Sequence, residues 1–223
     1  MSWLIGTLLI GISAAIATTF DDNLYLTAFF GKVNHAFRPK HIIIGEFLGF
    51  TALVFASLPG FFGGLIIPHT WIGLLGFLPI AIGINHLMSR ENEEEAVQAV
   101  SINLNHVKHQ RQNKSLLATI RDPQTYRVSA VTIANGGNNI GIYVPLFASS
   151  NLPSLGVILS VCYFTVGLWC FLSYNLTRNP LMATVLARYG RKVFPLVLIS
   201  LGLSILMKSE TYLLLPSIAM FSN

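Results

Sequence analysis

Two short polar phrases interrupt apolar segments of this chain and contain the residue types best suited to hold a cation. The first reads FDDN at residues 20–23, inside the run WLIGTLLIGISAAIATTFDDNLYLTAFF. The second reads NGGNNIGIY at residues 135–143. Their carboxylate and amide oxygens suit hard or borderline divalent cations. The candidate metal ligands are Asp21, Asp22, Asn23, Asn135, Asn138 and Asn139, to which the hydroxyls of Thr18 and Thr19 can add.

Asp21 and Asp22 need a physical reason to lie in an apolar segment, because a charge at the centre of a membrane helix costs about 3 kcal/mol on insertion scales. Neither phrase contains a Lys or Arg that would neutralise them. A bound metal ion or protons would do so, unless both acids lie at the membrane edge. Successive helical residues point about 100° apart. Either the helix is distorted here, or Asp22 binds the ion while Asp21 lines a proton path.

The two phrases also align with one another, which predicts an internal repeat. Pairing Asp22 with Asn138 also pairs Asn23 with Asn139, and each phrase lies in the first of three apolar segments. With three segments in each half, the second half enters the membrane with opposite polarity. Many secondary transporters have this arrangement and bind substrate on broken helices at the repeat interface.

Glycines in the second phrase predict that the fourth apolar segment is interrupted. Gly136 and Gly137 lower helix propensity, and Pro145 removes a backbone donor a few residues later. Backbone carbonyls unwound at this point could bind a cation, since unwound backbone at membrane depth must face protein or a watery cavity. Close packing of a neighbouring helix is the alternative explanation of the glycines.

Composition identifies the protein class that contains these phrases. Of the 223 residues, 53% are hydrophobic and 10% are charged, and the mean hydropathy is +0.63. A soluble domain usually has about 25% charged residues. We predict an all-α integral membrane protein with six transmembrane helices in two inverted three-helix repeats. The apolar segments are 3–30, 42–65, 66–88, 128–149, 152–175 and 193–215, and the predicted units are repeat 1–88, cytoplasmic loop 89–126 and repeat 127–223.

Basic residues predict the orientation in the membrane. Thirteen of the fourteen Lys and Arg residues lie in or beside the loops after the first, third and fifth segments, and Lys208 is the exception. The positive-inside rule assigns that side to the cytoplasm and both termini to the outside. This clustering in loops also explains the pI of 9.4 without a nucleic-acid partner. We expect a retained first helix and a multi-pass protein of a prokaryotic cell membrane.

A third acid, Glu46, lies about one turn inside the second segment. Pairing with Arg38 or Lys40 is one explanation of this residue, and a proton path or entry point is the other. Residues Tyr163, Thr165 and Trp169 of the fifth segment are interpreted as packing residues.

Cysteine and histidine residues favour no resident metal or cofactor. Cys162 and Cys170 are eight residues apart, or about 12 Å along a helix axis, so they cannot chelate one ion together. We interpret both as packing residues. His106 and His109 lie three residues apart in the long loop, where a solvated mixed-charge loop and a metal-sensing pair are the alternatives.

The chain resembles the bacterial cadmium resistance transporter family of the lysine-exporter superfamily. The resemblance extends over nearly the whole chain and rests on FDDNL, IGEFLGFT (44–51), IGLLGFLPIAIGI (72–84), VTIANGGNNIGIYVPLF (131–147), VGLWCFLSYNLTRNPL (166–181) and RYGR (188–191). It implies cadmium efflux. The family pattern has an Asp at the position of Asn138, and Asp21 would compensate with a second acid in the first phrase. A site with this change could prefer another cation or bind more weakly.

The sequence therefore predicts a secondary exporter, not an enzyme. The leading interpretation is a proton-coupled antiporter of a divalent metal ion, with protons and the lipid bilayer as further partners. Export of an organic solute, such as an amino acid or organic cation, and a channel are alternatives. A thiol oxidoreductase is disfavoured by the separation of the cysteines, and no nucleotide-binding GxxxxGK[ST] phrase is present. The oligomeric state is open, with a homodimer as one option.

Overall fold

The computed structural model describes residues 2–20, 22–34, 37–88, 119–177 and 195–211, and the regular structure in these ranges is entirely helical. The elements are α1 (Ser2–Thr19), α2 (Asp22–Gly31), α3 (Pro39–Ile66), α4 (His69–Ile72), a 3-10 turn (Gly73–Gly76), α5 (Phe77–Met88), α6 (Pro123–Asn135), α7 (Gly137–Ala148), α8 (Leu152–Leu176) and α9 (Pro195–Lys208). The predicted all-α class is confirmed for these residues.

Within the described ranges, two helices are each long and apolar enough to cross a bilayer. Helix α3 has 28 residues with a mean hydropathy of 1.9, and α8 has 25 residues with a mean hydropathy of 2.1. Shorter apolar helices cover residues 3–19, 70–85 and 195–208. Many large apolar side chains of α1, α3 and α8 are exposed, for example Phe55 and Phe164. An exterior of this kind suits a lipid environment.

Two of the predicted apolar segments are broken at their polar phrases. The first consists of α1 and α2, with Phe20 in a turn between them, and the fourth consists of α6 and α7 on either side of Gly136. The predicted interruption at Gly136 is thus present as a break of one residue, with φ −80° and ψ 6°. A side chain on Gly136 would collide with Leu53 of α3. Close approach of α3 therefore requires glycine at this position.

Helix α6 begins at Pro123, inside the range predicted to be loop. Asp122 caps the helix, since its carboxylate accepts a hydrogen bond of 3.1 Å from the backbone N–H of Gln124. Proline at the first position needs no backbone donor there.

At the other end of the chain, helix α9 is followed by a turn in which Glu210 has φ 51°. The helix thus ends at Lys208, within the apolar segment predicted at 193–215.

Helix α3 runs parallel to α6 and α7 at backbone contact. Gly45 and Gly49 face α6, while Gly60 and Gly64 face α7. A Cβ on Gly49 would lie 2.5 Å from the Cβ of Thr132, and one on Gly60 would lie 2.5 Å from the backbone oxygen of Val144. These glycines therefore set the separation between α3 and the broken pair α6–α7.

Helix α8 runs parallel to the other broken pair, α1 and α2. Gly11 of α1 packs on Ile158 near the start of α8, and Asn23 of α2 contacts Ser173 near its end. Helices α5 and α9 pack antiparallel, since Gly76 just before α5 faces Gly202 and Gly83 of α5 faces Pro195. Each predicted half thus places its first, broken helix beside the second helix of the other half.

Several predictions lie outside the described residues. They concern Asp21, the loop histidines His106 and His109, and the two ends of the apolar segment predicted at 193–215.

Candidate functional site

The first polar phrase forms a buried break between two helices. Asp22 is the first residue of α2 and is 4% exposed, and Asn23 is equally buried. The Asn23 side chain donates a 3.2 Å hydrogen bond to the carbonyl of Phe20, which closes the turn. A carboxylate in the first turn of a helix is stabilised by the positive end of the helix dipole. Asp22 therefore combines burial in the bundle with a local reason to carry negative charge.

The second phrase meets the first across the bundle. Asn135 Nδ2 donates a hydrogen bond of 3.2 Å to Asp22 Oδ1, and Asn139 Nδ2 donates one of 2.6 Å to the carbonyl of Thr18. The order of these contacts shows that the two broken helices cross antiparallel, with Asp22 opposite Asn135 and Thr18 opposite Asn139. The structure thus brings together three of the predicted ligands, Asp22, Asn135 and Asn139.

Asn138, which the repeat alignment pairs with Asp22, has an exposed side chain. The amide hydrogen bonds from the second phrase come from Asn135, which reaches Asp22, and Asn139, which reaches Thr18 just before the first break. The two amides that reach across belong to different helices, α6 and α7, on either side of Gly136. A role for Asn138 in metal binding stays a prediction.

Helix α8 contributes two residues that sequence reasoning did not place at the site. Trp169 Nε1 donates 2.8 Å to Thr19 Oγ1, and Ser173 Oγ donates 2.8 Å to Asn23 Oδ1. The Trp169 ring also packs edge-on against Phe20 at 5.7 Å. The sequence feature that could have placed Trp169 at the site is its indole N–H, which needs a hydrogen-bond partner when it is withdrawn from water. These two residues, one helical turn apart, hold the backbone break of the first phrase in place.

Glu46 of α3 is 1% exposed and lies between the two broken helices. The hydroxyl of Tyr25 in α2 lies 2.9 Å from both carboxylate oxygens, and Thr132 Oγ1 of α6 donates 2.7 Å to Oε2. Pairing with Arg38 or Lys40 is therefore wrong for this structure. The reason is helix rotation: Glu46 is on the face of α3 that packs against α2 and α6.

A related cluster lies on the other side of the breaks. The hydroxyl of Tyr143 in α7 is hydrogen-bonded to Thr18 Oγ1 of α1, and the Cys162 thiol of α8 lies beside it. Cys162 and Cys170 are both free thiols and both buried in apolar clusters. Their burial agrees with the interpretation of both cysteines as packing residues.

The donor set of the site is rich in oxygen. Among the described residues, no group of three or more His, Cys, Asp and Glu side chains could hold a metal ion. The described donors around the breaks are the Asp22 carboxylate, amides, hydroxyls and backbone carbonyls. Oxygen donors suit hard or borderline divalent ions, whereas soft ions prefer thiolates.

Apolar helices, two of them of membrane length, packed around the buried Asp22 carboxylate and its amide partner Asn135, indicate a membrane protein. The family model described as "Cadmium resistance transporter" matches residues 15–218, most of the chain. The chain belongs to this family, which confirms the resemblance seen in the sequence and implies cadmium resistance transport. Comparison with curated proteins and with solved structures found no match.

Proposed function

We propose that the protein is a secondary-active, proton-coupled exporter of a divalent metal cation, cadmium or a similar ion. The ion would bind between the α1–α2 break and the α6–α7 break. The observation that carries this proposal is the hydrogen bond from Asn135 to Asp22, because it joins the two polar phrases at a buried acid. Membership of the cadmium resistance transporter family supports the choice of a metal ion.

Binding would exchange one partner of Asp22 for the ion. An Asn side chain has an oxygen acceptor and a nitrogen donor at the same end. Rotation of the Asn135 amide would therefore replace the N–H that now faces Asp22 with an oxygen that faces the cation. Asn139 can make the same exchange at the Thr18 carbonyl, which would free that carbonyl as a further ligand. Asp21, Asn23 and Asn138 are the remaining proposed ligands.

Proton coupling would follow from competition for the same carboxylate. Asp22 can bind either a proton or part of the coordination sphere of a metal ion, and exclusive occupancy couples the two movements. Glu46 is the proposed proton path or entry, since its buried carboxylate lies between α2 and α6 and is held by neutral hydroxyls. Exchange of metal for protons makes the protein an antiporter.

We also propose two inverted three-helix repeats, oriented with the basic loops in the cytoplasm of a prokaryotic cell. Two features of the packing support this. The broken pair α1–α2 crosses the broken pair α6–α7 antiparallel, and each broken pair lies parallel to the unbroken second helix of the other half. A two-fold axis in the membrane plane relates such pairs.

Transport by purified protein in proteoliposomes tests the function. We expect uptake of Cd²⁺, or of another ion in a panel with Zn²⁺, Mn²⁺ and Ca²⁺, that accelerates with an imposed pH gradient and saturates with metal. Asp122→Asn is the matched control, because Asp122 caps α6 away from the breaks and Asn caps equally well. Transport of an amino acid or organic cation without metal would favour the organic-solute exporter. A metal flux whose rate does not change with the pH gradient would indicate a channel.

A further inference from the structure

Two tyrosine-centred clusters flank the helix breaks, one on each side. Tyr25 contacts Glu46 from the second helix of its own half and, through that carboxylate, Thr132 from the first helix of the other half. Tyr143 lies beside Cys162 from the second helix of its own half and contacts Thr18 from the first helix of the other half. Each cluster therefore contains a tyrosine, a residue from the second helix of the same half, and a threonine from the first helix of the other half.

The alignment of the two polar phrases also pairs the second-helix residues of the two clusters. Aligning Asp22 with Asn138 places Glu46 opposite Cys162, since both pairs have the same separation in the chain. The first cluster lies beyond the breaks toward the end of the bundle where α2 ends and α6 begins, which we name the basic side. The second lies toward the end where α7 ends and α8 begins, which we name the opposite side. The second-helix members of the two clusters therefore occupy equivalent positions, whereas the tyrosines and the threonines lie two residues away from that offset.

The clusters differ in one chemical respect. The acceptor on the basic side is a carboxylic acid that can lose a proton, whereas the residue on the opposite side is a thiol in apolar surroundings. Hydrogen bonds to a charged acceptor are stronger than those between neutral groups. The strength of the basic-side cluster therefore depends on the charge of Glu46, and that of the opposite cluster has no such dependence.

We propose that Tyr25, Glu46 and Thr132 form the gate on the basic side of the transport path, that Thr18, Tyr143 and Cys162 form the gate on the opposite side, and that only the basic-side gate responds to charge. This inference rests on the proposed transport function and adds the gating residues to it. Each gate joins a helix segment of one half to a segment of the other, so release of its hydrogen bonds lets the segments on that side separate. A path that opens on alternate sides requires such a pair of contacts.

Other titratable groups face Glu46 from the packed helices. Tyr25 bonds Glu46 from α2, Asp22 lies near Tyr25 in the same helix, and Cys170 of α8 lies in the buried cluster of Tyr25. From α6 it meets the neutral Thr132. Protonation of Glu46, or approach of a cation from the basic side, removes the charge that strengthens the gate. The gate then opens toward the side from which the cargo of an exporter arrives.

The two native cysteines provide a test, because each lies at one gate. Cys170 shares the buried cluster of Tyr25, and Cys162 lies beside Tyr143. The rate of N-ethylmaleimide labelling at each cysteine can be measured by mass spectrometry on purified full-length protein without metal. Tyr25→Phe and Glu46→Gln should accelerate labelling of Cys170 on the order of tenfold, with Cys162 unchanged, because each removes hydrogen bonds to a charged acceptor. Tyr143→Phe should accelerate labelling of Cys162 alone.

Tyr163→Phe is the matched control, since the Tyr163 hydroxyl bonds Thr51 at 3.0 Å and belongs to neither gate. It should leave both labelling rates unchanged. Equal acceleration at both cysteines in every gate variant would mean that the clusters merely hold the fold, and would overturn the proposal. Unchanged rates in all gate variants would overturn it as well. Since no metal is present, these outcomes are independent of whether the transported solute proves to be a metal ion.

Discussion

Replacing Asp22 by Asn is the sharpest test of the candidate site, because it removes one charge and leaves the size of the side chain almost unchanged. Asp22 is 4% exposed, so bulk water screens its carboxylate little. A divalent ion about 4 Å from one negative charge interacts with it by about 8 kcal/mol at an effective dielectric constant of about 20. The cost of desolvating the ion and the carboxylate offsets part of this attraction.

If about half of the attraction remains as net binding energy, Asp22→Asn weakens metal binding by about 4 kcal/mol, or about 1,000-fold. The effect on folding should be much smaller. The hydrogen bond from Asn135 changes from a charged to a neutral acceptor, which costs about 1 kcal/mol. Loss of binding should therefore occur in a folded protein with a nearly unchanged melting temperature.

Isothermal titration of the detergent-purified variant with Cd²⁺ measures the affinity, and proteoliposome uptake measures transport. Asp122→Asn undergoes the same chemical change at a helix cap and should retain both activities. Asp22→Asn protein that binds and exports metal as well as the parent protein would refute the assignment of the site to the two breaks.

Four further outcomes follow from the same geometry. Asn138→Asp should tighten divalent binding about tenfold if its exposed side chain lines the path, and an unchanged affinity would remove Asn138 from the site. Trp169→Phe keeps an aromatic ring but loses the indole N–H donated to Thr19 at the first break, and we expect uptake to fall severalfold with a stability loss of about 1 kcal/mol from the lost hydrogen bond. Gly49→Ala should lower the melting temperature, because its Cβ would lie 2.5 Å from the Thr132 Cβ and overpacking costs about 1–3 kcal/mol. Gly156→Ala is the matched control, since open space surrounds Gly156 and the melting temperature should stay unchanged. A cysteine introduced in the long loop should resist impermeant reagents applied outside intact cells, and labelling there would reverse the predicted topology.

Local features of the sequence determined the helices and their breaks. Long apolar runs specify helices because a chain in lipid must satisfy its backbone hydrogen bonds within each segment. The polar phrase at Asp22 and the glycine at Gly136 interrupt those runs, and both breaks are where the sequence places them. Composition and family motifs were equally local signals, and they sufficed for the class of protein and its family.

The tertiary structure alone decided which side chains meet. Three amides of the second phrase were equivalent candidates in the sequence, but Asn135 and Asn139 bond residues around the first break while Asn138 is exposed. That choice depends on how each half-helix is rotated about its axis, which is set by contacts with distant helices. Leu53 of α3 against Gly136 is one such contact.

Glu46 illustrates the same limit. Its neighbours along the chain favoured an ion pair with Arg38 or Lys40, whereas its partners in the structure are Tyr25 and Thr132. The glycine contacts of α3 with α6 bring those helices together at backbone distance, and a buried carboxylate then takes the donors on the facing surfaces. A residue's neighbours in the chain follow from the order of the sequence, but its partners in the core follow from long-range packing that no short segment specifies.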